Sequence, residues 1–384
     1  MTEIKVSVVM PIYNAEEFLN DTLRDVTGQT LKEIEIICVD DGSTDRSREI
    51  IREWGKKDAR VQLVSQQNQY AGVARNHGFT KATGKYVIFW DADDMYHEKA
   101  LEILYEQAEK EQTDICLCAA QRYDMEQNKF IPTKAYLNTD AFPDKQTFNK
   151  SDVPDYIFNL ATNVPWNKLY RSDFIRGHRL QYQALRQAND TYFTMMALFF
   201  AERISYVEDV LVTYRVNNVH SLSGKASDTV LCPYESYIAT LEELVKYPDY
   251  ELVRESFLNK SLSGLFNALN IQRNYAGYEL LYRTLVSEGF ERLGLKDCKE
   301  EEIHIAWQYR DLQKMLHMTA GDFLVQKSME RRLNVVQTRA DKERLQEENR
   351  ELKKEIAQIR ASRSFRLGKM LLSIPIKIKK MIKR

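Results

Sequence analysis

Four short, continuous apolar runs at residues 6–10, 34–39, 86–90 and 115–119 alternate with stretches of helical spacing at 15–26, 45–55, 70–82 and 98–110. Runs of this length, rich in Val and Ile, suit strands buried on both faces. Pro11 cuts the first run short. Thr44 or Asp45 is placed to cap the second helix, and Gly55 and Gly84 to stop the second and third. Strand–helix alternation predicts an α/β domain with a mostly parallel sheet and helices on both faces. Right-handed crossovers then gather the strand C-terminal ends on one edge, where such sheets bind ligands.

Further on, residues 122–155 are polar and irregular, as expected of an excursion over a cleft, and 190–202 return to helical spacing. Residues 233–324 read as an all-helical module. Beyond Leu324 the composition turns to charged, helix-favouring residues, with Leu345, Asn349, Leu352, Ile356 and Ile359 on alternating d and a heptad positions. This stretch is either one long solvated helix or a short coiled coil that pairs copies of the chain through 342–359. Asn349 at an a position favours the coil, since such a residue fixes register. The expected division is therefore 1–232 for the α/β domain, 233–324 helical, 325–359 long helix or coil, and 360–384 a tail.

Composition narrows the setting. With 384 residues, 43% hydrophobic and 11% aromatic, the chain has material for a real core. Its five cysteines are scattered, without CxxC pairs or His/Cys clusters, which argues against zinc and a disulfide framework. The first residues lack a basic n-region and a cleavage site, so they read as a strand and not a signal peptide. No stretch approaches the ~18 apolar residues of a membrane span. The net charge of −1 conceals an asymmetry: nine Lys or Arg and no acid lie between Arg360 and Arg384. The acidic remainder argues against nucleic-acid binding, and the basic end points to an anionic surface. Phe365, Leu367, Leu371, Leu372, Ile374 and Ile378 interleave with those cations, as in an interfacial amphipathic helix on anionic lipid. Pro375 interrupts it, and a partner-docking helix or a disordered end are the other readings of the tail. The expected location is cytoplasmic, peripheral on the inner face of the plasma membrane.

Candidate chemistry sits at the ends of the apolar runs. VSVVMPIYN ends a strand in Pro11-Ile12-Tyr13-Asn14, and IICVDDGSTD ends one in Asp40-Asp41-Gly42 before a capped helix. Each puts polar groups beside a helix N-terminus that favours anions. In YVIFWDADDM, Asp91, Asp93 and Asp94 follow directly on a buried strand. Three such carboxylates repel one another unless a cation intervenes. A hard divalent ion, Mn²⁺ or Mg²⁺, takes oxygen ligands and keeps substrate phosphates as partners. A solvated acidic turn is the plainer alternative. In NQYAGVARNHG, Arg75 offers a bidentate fork for phosphate or carboxylate.

These four segments, in this order and spacing, resemble glycosyltransferase family 2 over residues 5–223. The resemblance implies the GT-A fold, Rossmann-like with a mostly parallel sheet. It implies that Pro11, Tyr13 and Asp41 hold a uracil-type base, that Asn68 and Arg75 lie near the nucleotide, that Asp91 contacts ribose or donor sugar, and that Asp93, with Asp91, ligates the metal. Tyr70 stands where the family commonly has Gly, which predicts altered base packing. The family's base is an Asp preceded by an acid at a helix start; QANDTYF matches it with Asp190, preceded by Asn189 in place of Glu. Asp190 also suits a helix N-cap. In PWNKLYRSDF, which resembles the acceptor-cleft segment, Trp166 is either a sugar-stacking ring or a core residue. YRVNNVHSLS resembles the loop closing over the diphosphate, with Arg215, His220 and Ser221 as lid candidates. His220 there is a metal ligand, a phosphate contact or a plain surface residue.

The resulting expectation is an inverting, metal-dependent hexosyl- or N-acetylhexosaminyltransferase, using a nucleotide-sugar donor, UDP-linked by preference. The acceptor is a glycan, a lipid-linked chain or a polyol-phosphate polymer of the bacterial surface. The rival class is a non-catalytic sugar-binding or scaffold protein assembled through its coil, against which the retained carboxylates argue. A nucleotidylyltransferase would need a glycine-rich phosphate loop that the residues after Met10 do not supply.

Overall fold

The computed structural model describes residues 3–217 and 229–361. The chain forms two compact units, Met1–Leu316 and His317–Arg384. In the first, β1 (Val6–Ile12), α1 (Glu16–Thr27), β2 (Ile34–Asp40), α2 (Ser47–Lys57), β3 (Val61–Ser65), α3 (Tyr70–Phe79) and β4 (Tyr86–Phe89) alternate strictly. Their strands lie in the order β3-β2-β1-β4, all parallel. Strands β1, β2 and β4 are buried almost throughout, so their sequences read as unbroken apolar runs. Strand β3 lies at the sheet edge and mixes buried with exposed positions, so VQLVS carries no such run.

Pro11 does not end β1. It pairs with Val39 in register, and the strand continues to Ile12. The missing N–H costs nothing because it faces the β4 side, where the last bond is Trp90 N to Val9 O, while Ile12 O turns the other way to accept from Asp41 N. Nor does Gly55 stop α2, which runs on to Lys57. Helix α3 ends at Phe79, short of Gly84, whose N–H and C=O are both taken by the hydroxyls of Ser7 and Ser172.

The sheet continues through β5 (Met95–Tyr96), β6 (Ile115–Asp124), β7 (Lys129–Pro132), β8 (Lys168–Arg171) and β9 (Ile204–Val216), with α4 (Ala100–Glu111), α5 (Ser172–Gly177) and α6 (Asn189–Phe200) between them. Past β4 the order is β8-β6-β9-β5, and β7 pairs with β6. Strand β8 runs antiparallel to both β4 and β6, and β5 antiparallel to β9, while β6 and β9 are parallel. The mostly parallel arrangement thus belongs to the first half, and the second half makes the whole sheet mixed. Its extra strands were hard to see in the sequence: β8 has four residues, and β9 bends at a register shift beside exposed Glu208, Asp209 and Val210. The expected excursion after residue 122 opens as a hairpin, with Arg122 opposite Ile131.

Helices α7 (Cys232–Leu244), α8 (Tyr250–Asn270), α9 (Tyr275–Thr284), α10 (Phe290–Arg292) and α11 (Ala306–Met315) complete this unit. They brace irregular segments beside the sheet. Ser236 Oγ reaches Gln183 Oε1 at 2.6 Å, Phe158 N donates to Ser256 Oγ, and Lys260 Nζ donates to the Ala161 carbonyl. The second unit carries α12 (Ala320–Ala361), 42 residues long, about 63 Å at 1.5 Å per residue. Among the described residues no helix is long and apolar enough to cross a membrane. Most of the basic tail, residues 362–384, lies outside the described residues.

Candidate active site

The parallel order β2-β1-β4 brings three of the polar segments to one sheet edge, because each follows the C-terminal end of its strand. Asp41 leaves β2 nearly buried, at 2% exposure. Its Oδ1 accepts from Gln66 Nε2 at 2.8 Å and from Gln69 N at 2.9 Å, which folds the 66–69 loop over it. Gly42 makes this possible: its φ is +77°, and a Cβ there would press on the Asn68 backbone at 3.0 Å. Asp40 is consumed internally, by Arg48 at 2.6 Å and Ser43 N at 3.0 Å. Of the adjacent carboxylates, only Asp41 faces the loop. Pro11 is half-buried in β1, Asn68 is exposed, and Tyr13 and Tyr70 on either side of this loop each present about two-fifths of their surface. Tyr70 opens α3 at φ 71°, so the family's usual Gly is replaced at a left-handed position.

Arg75 is buried in α3, and its fork is filled by protein. Nη2 meets Asp91 Oδ1 at 2.6 Å, Nη1 donates to Asn189 Oδ1 at 2.9 Å, and the guanidinium lies 5.3 Å from the Tyr182 ring centroid. Both terminal nitrogens tie the DADD turn to the start of α6, and the carboxylate that the fork meets is Asp91. Asn189 likewise serves as a strut to Arg75. Gly72, one turn before Arg75, permits this docking, since a Cβ there would collide with the Gln183 carbonyl and crowd Asn189.

The turn after β4 concentrates negative charge. Asp94 is fully buried; its Oδ1 accepts from Arg215 N at 3.0 Å, and its Oδ2 has no hydrogen-bond partner. Burial first, then Asp93 and Asp91, push the Asp94 carboxyl well above the usual range. Asp93 is pushed up to about 6 by burial and by the charge of Asp91. Arg215 at the end of β9 braces the turn, donating from Nη1 to the Asp93 carbonyl at 2.5 Å while its guanidinium covers Phe18. It lies within β9, two residues before the end of the described segment at Asn217. His220 and Ser221 lie outside the described residues.

An orphaned carboxylate oxygen beside a carboxylate of raised pKa fits a hard cation. Among the described residues no three His, Cys, Asp or Glu side chains form a complete ligand set. An ion held by Asp93 and Asp91 would fill its remaining positions with donor oxygens and water, as Mg²⁺ does.

Asp190 stands in the first turn of α6, half-buried. Burial raises its carboxyl, Arg75 opposes that rise, and Asp91 adds to it. Across the chain, Asp190 and the DADD turn thus share one electrostatic environment, with Arg75 between them. Near it, Lys168 Nζ is buried and gives its three bonds to Thr162 O, Val164 O and Asn167 Oδ1, each at 2.8 Å. Burial and the nearby Lys260 lower its pKa to about 7. Trp166 is a core residue: it is 2% exposed, stacks on Tyr214 and meets Tyr136 edge-on, leaving no face for a sugar. Gln66, Tyr182 and Lys168 escaped the sequence reading, because each acts on a partner distant in sequence or belongs to no local pattern.

Residues 7–178 match the family model described as glycosyl transferase family 2. EpsH of Bacillus subtilis, described as a glycosyltransferase, is 33% identical over 66% of this chain and 74% of its own length. The poly(ribitol-phosphate) beta-glucosyltransferase of Bacillus spizizenii is 27% identical over 66% of this chain and 38% of its own length. The crystal structure of S. aureus TarS 1–349 in complex with UDP-GlcNAc superposes with a TM-score of 0.63 at 20% identity, covering 81% of this chain and 90% of that one.

Proposed function

The chain belongs to glycosyltransferase family 2, and from that premise we propose that it moves a sugar from a UDP-sugar to a cell-surface glycan or polyol-phosphate acceptor, with inversion. The observation that carries this reading is the convergence of Asp190 with the Arg75–Asp91 pair at the edge where the DADD turn ends. An inverting transfer needs a base for the acceptor hydroxyl on one side of the anomeric carbon and a stabilised diphosphate on the other. The acceptor oxygen forms its bond to C1 as its proton passes to the Asp190 carboxylate. The C1–O bond to the diphosphate breaks, and UDP departs with the electron pair. Asp41 and the 66–69 loop, with Tyr13 and Tyr70 at the rim, suit a planar base and its N–H. Asp93 and Asp91 would hold Mn²⁺ or Mg²⁺, which supplies charge stabilisation for the leaving diphosphate. The surface-polymer acceptor is supported by the likeness to the poly(ribitol-phosphate) glucosyltransferase, and the UDP donor by the TarS complex.

The purified chain, screened by thermal shift against nucleotide-sugars with and without Mn²⁺, should be stabilised by one UDP-sugar only when metal is present. Stabilisation by no nucleotide-sugar, or equally without metal, counts against the donor and metal assignments.

The nine bases of 360–384 support a membrane-bound setting. Juxtamembrane cations contribute about 1 kcal/mol each near an anionic surface, fading with salt. Truncation after Ile359 should abolish binding to anionic vesicles at low salt and leave donor hydrolysis unchanged. A truncated protein that still sediments with vesicles removes the tail from the account.

A further inference from the structure

Independently of the reaction, we propose that α12 pairs with α12 of a second copy as a parallel, in-register, two-stranded coil over residues 342–361. The heptad frame puts Lys342, Asn349 and Ile356 at a, and Leu345, Leu352 and Ile359 at d. Polar Lys342 and Asn349 at a specify register and oligomer state at a cost in stability, while Leu345 and Leu352 fill d. All of these positions fall inside one uninterrupted helix. One heptad upstream, Val335 occupies an a position and is 52% exposed in the single chain, so the seam has no cover there.

Orientation follows from the flanking charges. Asp341, Glu348 and Glu355 stand at g; Gln346, Lys353 and Arg360 stand at e. A parallel in-register pair sets each g position against the e position five residues later on the other helix. That matches Glu348 with Lys353 and Glu355 with Arg360, each pair twice. An antiparallel pair sets g against g and e against e, which matches like charges throughout. The parallel arrangement also delivers both basic tails to the same end of the coil. Linked anchors of this kind bind a surface more tightly than either does alone.

Disulfide trapping reads the orientation directly, because the five native cysteines are all buried and leave little background. In the full chain, Asn349→Cys and Ile356→Cys should each oxidise to a covalent dimer, while Arg350→Cys at b should not. Two matching a positions can both cross-link only in a parallel, in-register pair. Trapping at one a position alone, at neither, or equally at Arg350→Cys overturns the proposal. A second test uses uncoupled charges: Glu348→Lys with Glu355→Lys should sediment as a monomer of 45.0 kDa. Mixing it with Lys353→Glu/Arg360→Glu should restore the dimer. A wild type that sediments as a monomer at every concentration, or as a trimer, contradicts the two-stranded coil.

Discussion

Replacing Asp190 by Asn should lower sugar transfer by on the order of 10²-fold or more, the usual worth of a positioned base, and leave UDP binding near wild type. Asn keeps the size of the side chain in the first turn of α6, where no side-chain cap bond is at stake, so the helix should survive. What disappears is the carboxylate proposed to take the acceptor proton. The wild-type pH profile carries a matching signature. Burial raises the Asp190 carboxyl above its ordinary value, so at a given acidic pH less of it is ionised. The acid limb of kcat/KM should therefore lie above the usual carboxylate range, with activity rising as pH rises through it. Loss of donor binding in Asp190→Asn, measured by calorimetry with UDP, would make the residue part of the donor site's framework and not the base; the N-cap of α6 is Ala188, not Asp190.

Replacing Asp93 by Ala should abolish the metal dependence of UDP binding. It should also cut turnover by on the order of 10³-fold or more, since a catalytic metal is worth several kcal/mol. Asp93 sits in a turn where Asp94 keeps an unpartnered buried oxygen and Asp91 is shared with Arg75. Removing one carboxylate relieves the repulsion, so the fold should tolerate the change while losing the ion. Because the Asp93 carboxyl is pushed up to about 6, protons compete with metal near that pH. In the wild type, Mn²⁺-dependent UDP binding should weaken as pH falls through about 6 and recover above it. An Asp93→Ala protein with near wild-type, metal-dependent turnover would move the metal elsewhere.

Much of the first half was legible because its strands are buried on both faces. A strand such as IEIICVD has no solvent side to alternate with, so it stands out as a run, and the chemistry follows where the run ends. The second half hid its strands for the opposite reason. KLYR is short, and β9 carries its exposed charges at a bend. Within the site, local motifs located Asp41, Asp91, Asp93 and Asp190 as residues but not their partnerships. Arg75 in NQYAGVARNHG offers a fork to phosphate or carboxylate, but its two acceptors come from positions 91 and 189, which only the tertiary structure assembles. Trp166 illustrates the same limit. A Trp beside Pro165 reads equally well as a platform or as core, and its stacking on Tyr214 decides for core.

The central claim, transfer from a UDP-sugar with inversion through Asp190, is tested most directly by the anomeric form of the first product. Water can replace the acceptor, so the measurement needs only the purified chain, Mn²⁺ and the UDP-sugar that stabilises it. Early ¹H NMR spectra of the hydrolysis reaction should show the β sugar forming first from an α-linked donor, before mutarotation, with the signal falling at least as far as transfer does in Asp190→Asn. First appearance of the α sugar, or β product at an undiminished rate in Asp190→Asn, would contradict the account.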